Sequence, residues 1–188
     1  MTDLGSIYGT TVDGSNTLVI DFSNVQINGT LKSQNAYCRF YLNFTPPSPN
    51  TNYEPSNGTD NSLQLEEDSN LGSYGVYLQY GYLIKVSNPG IYKIDIYIEL
   101  QAQQNSLTGA YLKLKNQDDT EIAQSSKSRT SGYLNDVEPM ILSHIHSFGS
   151  GEGFYITIHP TGSGWRLIPS AIEINRKKCV SIIVTQIN

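Results

Sequence analysis

From residue 92 to residue 100 the chain alternates without interruption, with Tyr92, Ile94, Ile96, Ile98 and Leu100 set against Lys93, Asp95, Tyr97 and Glu99. Successive side chains of an extended strand point to opposite faces, so this period of two defines a strand with one apolar and one wet face. Such a strand needs hydrogen-bonding partners along its edges and a second layer over its apolar side.

The same period recurs along the chain. Residues 37–44 place Cys38, Phe40, Leu42 and Phe44 on one face and Tyr37, Arg39, Tyr41 and Asn43 on the other. Residues 76–86 set Val76, Leu78, Tyr80, Tyr82, Ile84 and Val86 in one row. The turn Ser87-Asn88-Pro89-Gly90 then leads into the 92–100 run, and the two are expected to form a tight antiparallel pair. Residues 110–115 turn through Asn116-Gln117-Asp118-Asp119-Thr120 into 121–126, and residues 137–148 are expected to pair with 154–159 across Gly149-Ser150-Gly151-Glu152-Gly153. Further strand-like runs occupy 18–27, 165–168, 171–174 and 179–187, the last too apolar on both faces for an exposed edge.

Composition agrees with the pattern. Nineteen Ile, 8 Val and 14 Thr accompany 13 Tyr, against only 5 Ala, and Ser, Asn and Gly make up 53 of 188 residues. No helix of two turns is visible. The expected fold is all-β, a single jelly-roll β-sandwich of about eight to ten antiparallel strands. Residues 1–16 read as an N-terminal arm and 17–188 as the jelly-roll domain. Within it, Pro46, Pro47, Pro49 and Pro55 mark 45–70 as a Pro-rich surface excursion.

Charge and motifs exclude more than they select. Twelve Lys and Arg against 17 Asp and Glu give a net charge of −5, and the only basic cluster is Arg176-Lys177-Lys178. That is too little to displace counterions from a phosphate backbone, so no nucleic-acid partner is expected. No apolar stretch is long enough for a membrane span, and residues 1–5 show no leader, which points to synthesis in a host cytoplasm. Cys38 and Cys179, both inside apolar runs, read as buried thiols rather than a disulfide. The sequons at Asn28, Asn43 and Asn57 are what an Asn- and Thr-rich chain produces by chance.

An enzyme is not expected. Leu71-Gly72-Ser73-Tyr74-Gly75 lacks the first glycine of a nucleophile elbow, and the Gly149–Gly153 loop precedes a strand instead of opening a helix. Glu66-Glu67-Asp68 and Asp118-Asp119 lack calcium-loop spacing and read as solvated turns. His144 and His146 share one face of a strand, with His159 expected on its partner; no fourth ligand is apparent, so no metal and no cofactor are expected. Tyr77, Tyr97, Tyr111 and Tyr155 fall opposite the apolar stripes and, with His144 and His146, are the candidate subunit interface.

Residues 80–94, with their glycine, strand, proline-glycine and tyrosine, resemble the core signature of the complement globular-head and tumour necrosis factor-like jelly rolls. The Leu112-Lys113-Leu114-Lys115-Asn116, Gly151-Glu152-Gly153-Phe154-Tyr155-Ile156 and Ser181-Ile182-Ile183-Val184 segments extend the resemblance over about 110 residues. It implies a ten-stranded jelly roll that assembles with copies of itself. Jelly rolls of this kind also build virus particles as vertex pentons, minor capsid proteins and spike knobs. The expectation is therefore a viral structural protein in the virion, a penton capsomer closing into a homopentameric ring beside neighbouring capsid proteins. The alternative is a trimeric knob that binds a receptor or glycan.

Overall fold

The computed structural model describes residues 11–12, 18–19, 36–43, 54–68, 74–102, 108–129, 137–162, 165–167 and 179–187. The chain divides into two units, 1–33 and 34–188. In the first, β1 (Thr11–Val12) pairs antiparallel with β2 (Leu18–Val19). The rest of the 1–16 arm, most of the 18–27 run, the 171–174 run and the Asn28 sequon lie outside the described residues.

The second unit is all-β, two antiparallel sheets forming a sandwich, with no helix among the described residues. Its strands are β3 (Tyr37–Leu42), β4 (Asn61–Ser62), β5 (Leu65–Glu67), β6 (Val76–Gln79), β7 (Leu83–Val86), β8 (Gly90–Ala102) and β9 (Thr108–Asn116). After these come β10 (Glu121–Arg129), β11 (Val137–Phe148), β12 (Gly153–Pro160), β13 (Trp165–Leu167) and β14 (Val180–Ile187). Among the described residues, nine of these twelve strands are four residues or longer, in the expected range.

One sheet runs β11-β8-β14-β3-β5, with β13 also on β8; the other runs β10-β9-β12-β7-β6, with β4 also on β12. The alternation in β8 explains its place. Tyr92, Ile94, Ile96, Ile98 and Leu100 are all 1 % exposed or less and face Leu112, Leu114, Phe154, Ile156 and Ile158 of the second sheet within one core. β14, apolar on both faces, sits between β8 and β3 as its sequence requires. Phe148 and Phe154 stack at 5.3 Å where the two sheets meet.

Three expectations about connections are corrected. Residues 76–86 are not one strand but a β6–β7 hairpin, because Tyr80 (φ 55°) and Gly81 (φ 76°) both adopt the left-handed conformation at the centre of a tight turn, closed by the Tyr82 N–H to the Gln79 carbonyl at 3.3 Å. Tyr80 accordingly leaves the apolar row and stands 74 % exposed. The turn at 87–90 does not close a hairpin: β7 and β8 belong to different sheets, and the chain crosses the sandwich there. Tyr92 secures that corner by donating its hydroxyl to the Asn88 carbonyl at 2.7 Å. Residues 149–153 likewise carry the chain from β11 to β12 in the opposite sheet, so His159 is not on a partner strand of His144 and His146. A proline- or glycine-rich turn is equally suited to folding back within a sheet and to crossing between sheets, and only the packing of both layers decides.

The described part of the 45–70 excursion, residues 54–68, is more structured than its prolines suggest. Leu63 and Leu65 are 1 % exposed in the core, while β4 and β5 extend one sheet each. Cys38 and Cys179 are buried free thiols, and burial pushes both up to about 12, which leaves them inert as nucleophiles.

Candidate functional site

The outer face of the β10-β9-β12-β7-β6 sheet carries a polar groove. Two strands build its floor: β12 presents Tyr155, Thr157 and His159 outward at alternate positions, and β9 presents Lys113 and Lys115 beside them. Register fixes the neighbours, with Tyr155 opposite Lys115, Thr157 opposite Lys113, and Ser62 of β4 on the other flank of Thr157.

A loop from the proline-rich segment supplies the wall. Asn61 accepts the Ser56 backbone N–H at 2.8 Å and donates its amide to the Ser56, Thr59 and Ile158 carbonyls at 2.9, 2.8 and 3.1 Å. Gly58 adopts φ 72°, and its N–H reaches the Pro160 carbonyl at 2.8 Å. So tied down, the loop holds Asp60 over the lysines. Its carboxylate meets Lys115 Nζ at 2.6 Å, Lys113 Nζ at 3.0 Å and His159 Nδ1 at 2.7 Å.

The β9–β10 turn supplies the far rim. Asn116 Oδ1 accepts the N–H groups of Asp118 and Thr120 at 3.0 and 2.8 Å. Asp119, held left-handed at φ 66°, then accepts from Lys115 at 2.9 Å and from the Tyr155 hydroxyl.

These contacts set the electrostatics. Burial alone would raise the Asp60 carboxyl, but hydrogen bonds from Lys115, Lys113 and His159 outweigh it and hold the group well below the usual carboxylate range. Asp60 and Asp119 hold the Lys115 ammonium above its ordinary value. The Tyr155 hydrogen bond, then Lys115, lowers Asp119. Burial, then Asp119, pushes the Tyr155 phenol up to about 12.

Because the Asp60 carboxyl is depressed on folding, the folded protein binds fewer protons there than the unfolded chain. The associated stability is complete above about pH 4 and is lost as pH falls below that value. Asp60→Asn should therefore lower Tm at pH 7 by about 2–4 °C, on the order of 1 kcal/mol for a partly screened cluster. Thermal melts should show the gap between variant and parent narrowing steadily as pH falls below about 4; a gap independent of pH would assign Asp60 no such role.

The structure separates the residues singled out from sequence. Tyr77 on β6, Tyr111 on β9 and Tyr155 on β12 share the outer face of the groove-bearing sheet, and of these only Tyr155 lines the groove. The Tyr111 ring lies 6.2 Å from that of His159. Tyr97, 37 % exposed, is on the outer face of the opposite sheet, where it donates to Glu99 at 2.7 Å. His144 and His146 lie in the same row of β11 as buried Met140, Leu142 and Phe148; both are half-buried, with rings 5.8 Å apart. Burial, then His144, lowers the His146 pKa. Among the described residues no three His, Cys, Asp or Glu side chains are grouped to hold a metal ion.

Sequence reading missed the groove because its members come from residues 58–62, 113–119 and 155–159. The signal available was the outward alternation of Lys113 with Lys115 and of Tyr155 with His159; the register that joins them was not.

Tyr97 marks a second surface. Ile141, Ile145 and Ile91 are 63, 57 and 48 % exposed on the outer face of its sheet. Ile141 lies directly beside Tyr97, and Ile91 lies beside Ile187. Among them Lys93 pairs with Asp95 at 2.7 Å, and the Ser143 hydroxyl donates to Asp95 at 2.6 Å.

No protein-family model matches the chain, and no curated protein matches it by sequence. Among solved structures it is similar to the Eiger tumour necrosis factor of S. frugiperda, with 13 % identity, a TM-score of 0.57, and coverage of 82 % of this chain and 93 % of that one. The fold is thus a tumour necrosis factor-like jelly roll. No described helix is long and apolar enough to cross a membrane.

Proposed function

We propose that this protein is a non-enzymatic structural component of a virus particle, a single jelly roll whose copies close into a ring. The observation that carries self-assembly is the apolar outer face of the β11-β8-β14-β3-β5 sheet, where Ile91, Tyr97, Ile141 and Ile145 stand exposed in adjacent rows. Large apolar side chains exposed together on one sheet face mark a surface for contact with another chain. Its Lys93–Asp95 ion pair is made within the chain, so a second copy can cover that part of the face without separating the two charges. A ring forms when this face meets a different flank of the neighbour and the rotation closes.

The virion reading rests on the all-β, turn-rich sequence and on fold-level analogy with capsid jelly rolls. The tumour necrosis factor-like fold is equally compatible with a second reading, a trimeric knob that engages a receptor or glycan. Native mass spectrometry of the whole chain tests both. Five copies are expected for a vertex capsomer and three for a knob, whereas a monomer at micromolar concentration would overturn self-assembly.

A further inference from the structure

We propose that the groove over β9 and β12 is a binding site for a neutral saccharide. It is an open groove of about 550 Å³, within the roughly 300–1,000 Å³ typical of small-ligand sites. It also lies on the outer face of the sheet opposite the proposed assembly face.

The charge balance selects the ligand class. Asp60 and Asp119 offset Lys113 and Lys115, and each of these four makes an ion pair with another. A phosphate or sulfate would have to approach two carboxylates and prise the lysines from Asp60. A divalent cation would have to displace the same ammonium groups from the carboxylates. A neutral polyol needs neither exchange, since its hydroxyls both donate and accept and can join carboxylate and ammonium groups without breaking the pairs.

The groove offers what such a ligand uses. Acceptors come from Asp60 and Asp119, donors from Lys113, and hydroxyls from Thr59 and Ser62. The Tyr155 ring, braced edge-on by Tyr82 at 6.0 Å, supplies apolar surface for the C–H face of a sugar. Thr157, 1 % exposed, adds to the floor an Oγ1 hydroxyl that has no hydrogen-bond partner in the protein. A buried hydroxyl left unpaired is costly, and a shift of the overlying side chains around a bound polyol would satisfy it.

The test is saturation-transfer NMR on the full chain with lactose, N-acetyllactosamine, cellobiose and maltose in turn. Transfer to the C–H protons of at least one is expected at millimolar concentration. Tyr155→Ala should weaken it at least tenfold. So should Asp119→Gly, which keeps the left-handed turn and guards against a folding defect. Asp118→Asn, a neighbouring carboxylate outside the groove, should leave it unchanged. Absence of transfer to all four sugars, or transfer that survives both groove variants, would overturn the proposal. Displacement of a bound sugar by inorganic phosphate or by calcium chloride at equal concentration would replace it with an ion site.

Discussion

Ile96→Asp should abolish folding, leaving the protein in the insoluble fraction or without the β-sheet circular dichroism of the parent. Ile96 is 1 % exposed at the middle of β8, with β11 hydrogen-bonded along one edge and β14 along the other. Its backbone therefore cannot turn the side chain outward without breaking two ladders. A carboxylate there has no cation within the core row, where its same-strand neighbours are Ile94 and Ile98. Burying it ionised or protonated costs several kcal/mol, comparable to the roughly 5–15 kcal/mol stability of a whole domain. Two companion variants isolate the cause. Ile96→Val removes one methylene and should cost about 1 kcal/mol with the fold intact. Ile91→Asp, on the same strand but at an outward position 48 % exposed, should remain folded. A soluble, folded Ile96→Asp protein would mean that the faces of β8 are exchanged.

That contrast between residues 91 and 96 marks the kind of information a linear sequence carries. Parity along a strand is a local property, so the inward rows of β3, β8 and β12 follow directly from the sequence, and burial confirms Cys38, Phe40, Leu42 and the five residues of β8. The central place of β14 follows too, because an apolar strand left at an open edge would offer its unpaired backbone to another chain. Sheet membership is different in kind. The corners at 87–90 and 149–153 carry the same residues as hairpin turns, and the choice is made by pairings between distant segments, β11 with β8 and β12 with β9. Tyr80 is hidden for a related reason: it keeps the apolar alternation going through a position whose left-handed backbone ends the strand. Leu63 and Leu65 are hidden by the prolines before them. The groove is the least legible of all, since Asp60 reaches Lys115 and His159 only through the pairing of β4 and β9 on opposite edges of β12.

The paired change Ile141→Lys with Ile145→Lys should convert the assembled protein to a folded monomer. The two side chains lie four residues apart on one face of β11, about 13 Å along the strand, and are the most exposed aliphatic residues described. Covering each by a neighbouring copy is worth about 1.5–3 kcal/mol, so losing both weakens each contact by on the order of 4 kcal/mol, about a thousandfold in Kd. Each introduced ammonium adds a desolvation cost if the interface forms. Within the monomer the same positions already face water, so Tm measured at high dilution should change little. Light scattering reads the result. Tyr77→Lys serves as the control, because Tyr77 is also exposed but lies on the outer face of the other sheet. An unchanged mass in the isoleucine variant together with dissociation by Tyr77→Lys would transfer the interface to the groove-bearing sheet. The saccharide site and the ring would then compete for one face, and added disaccharide should itself lower the oligomer mass.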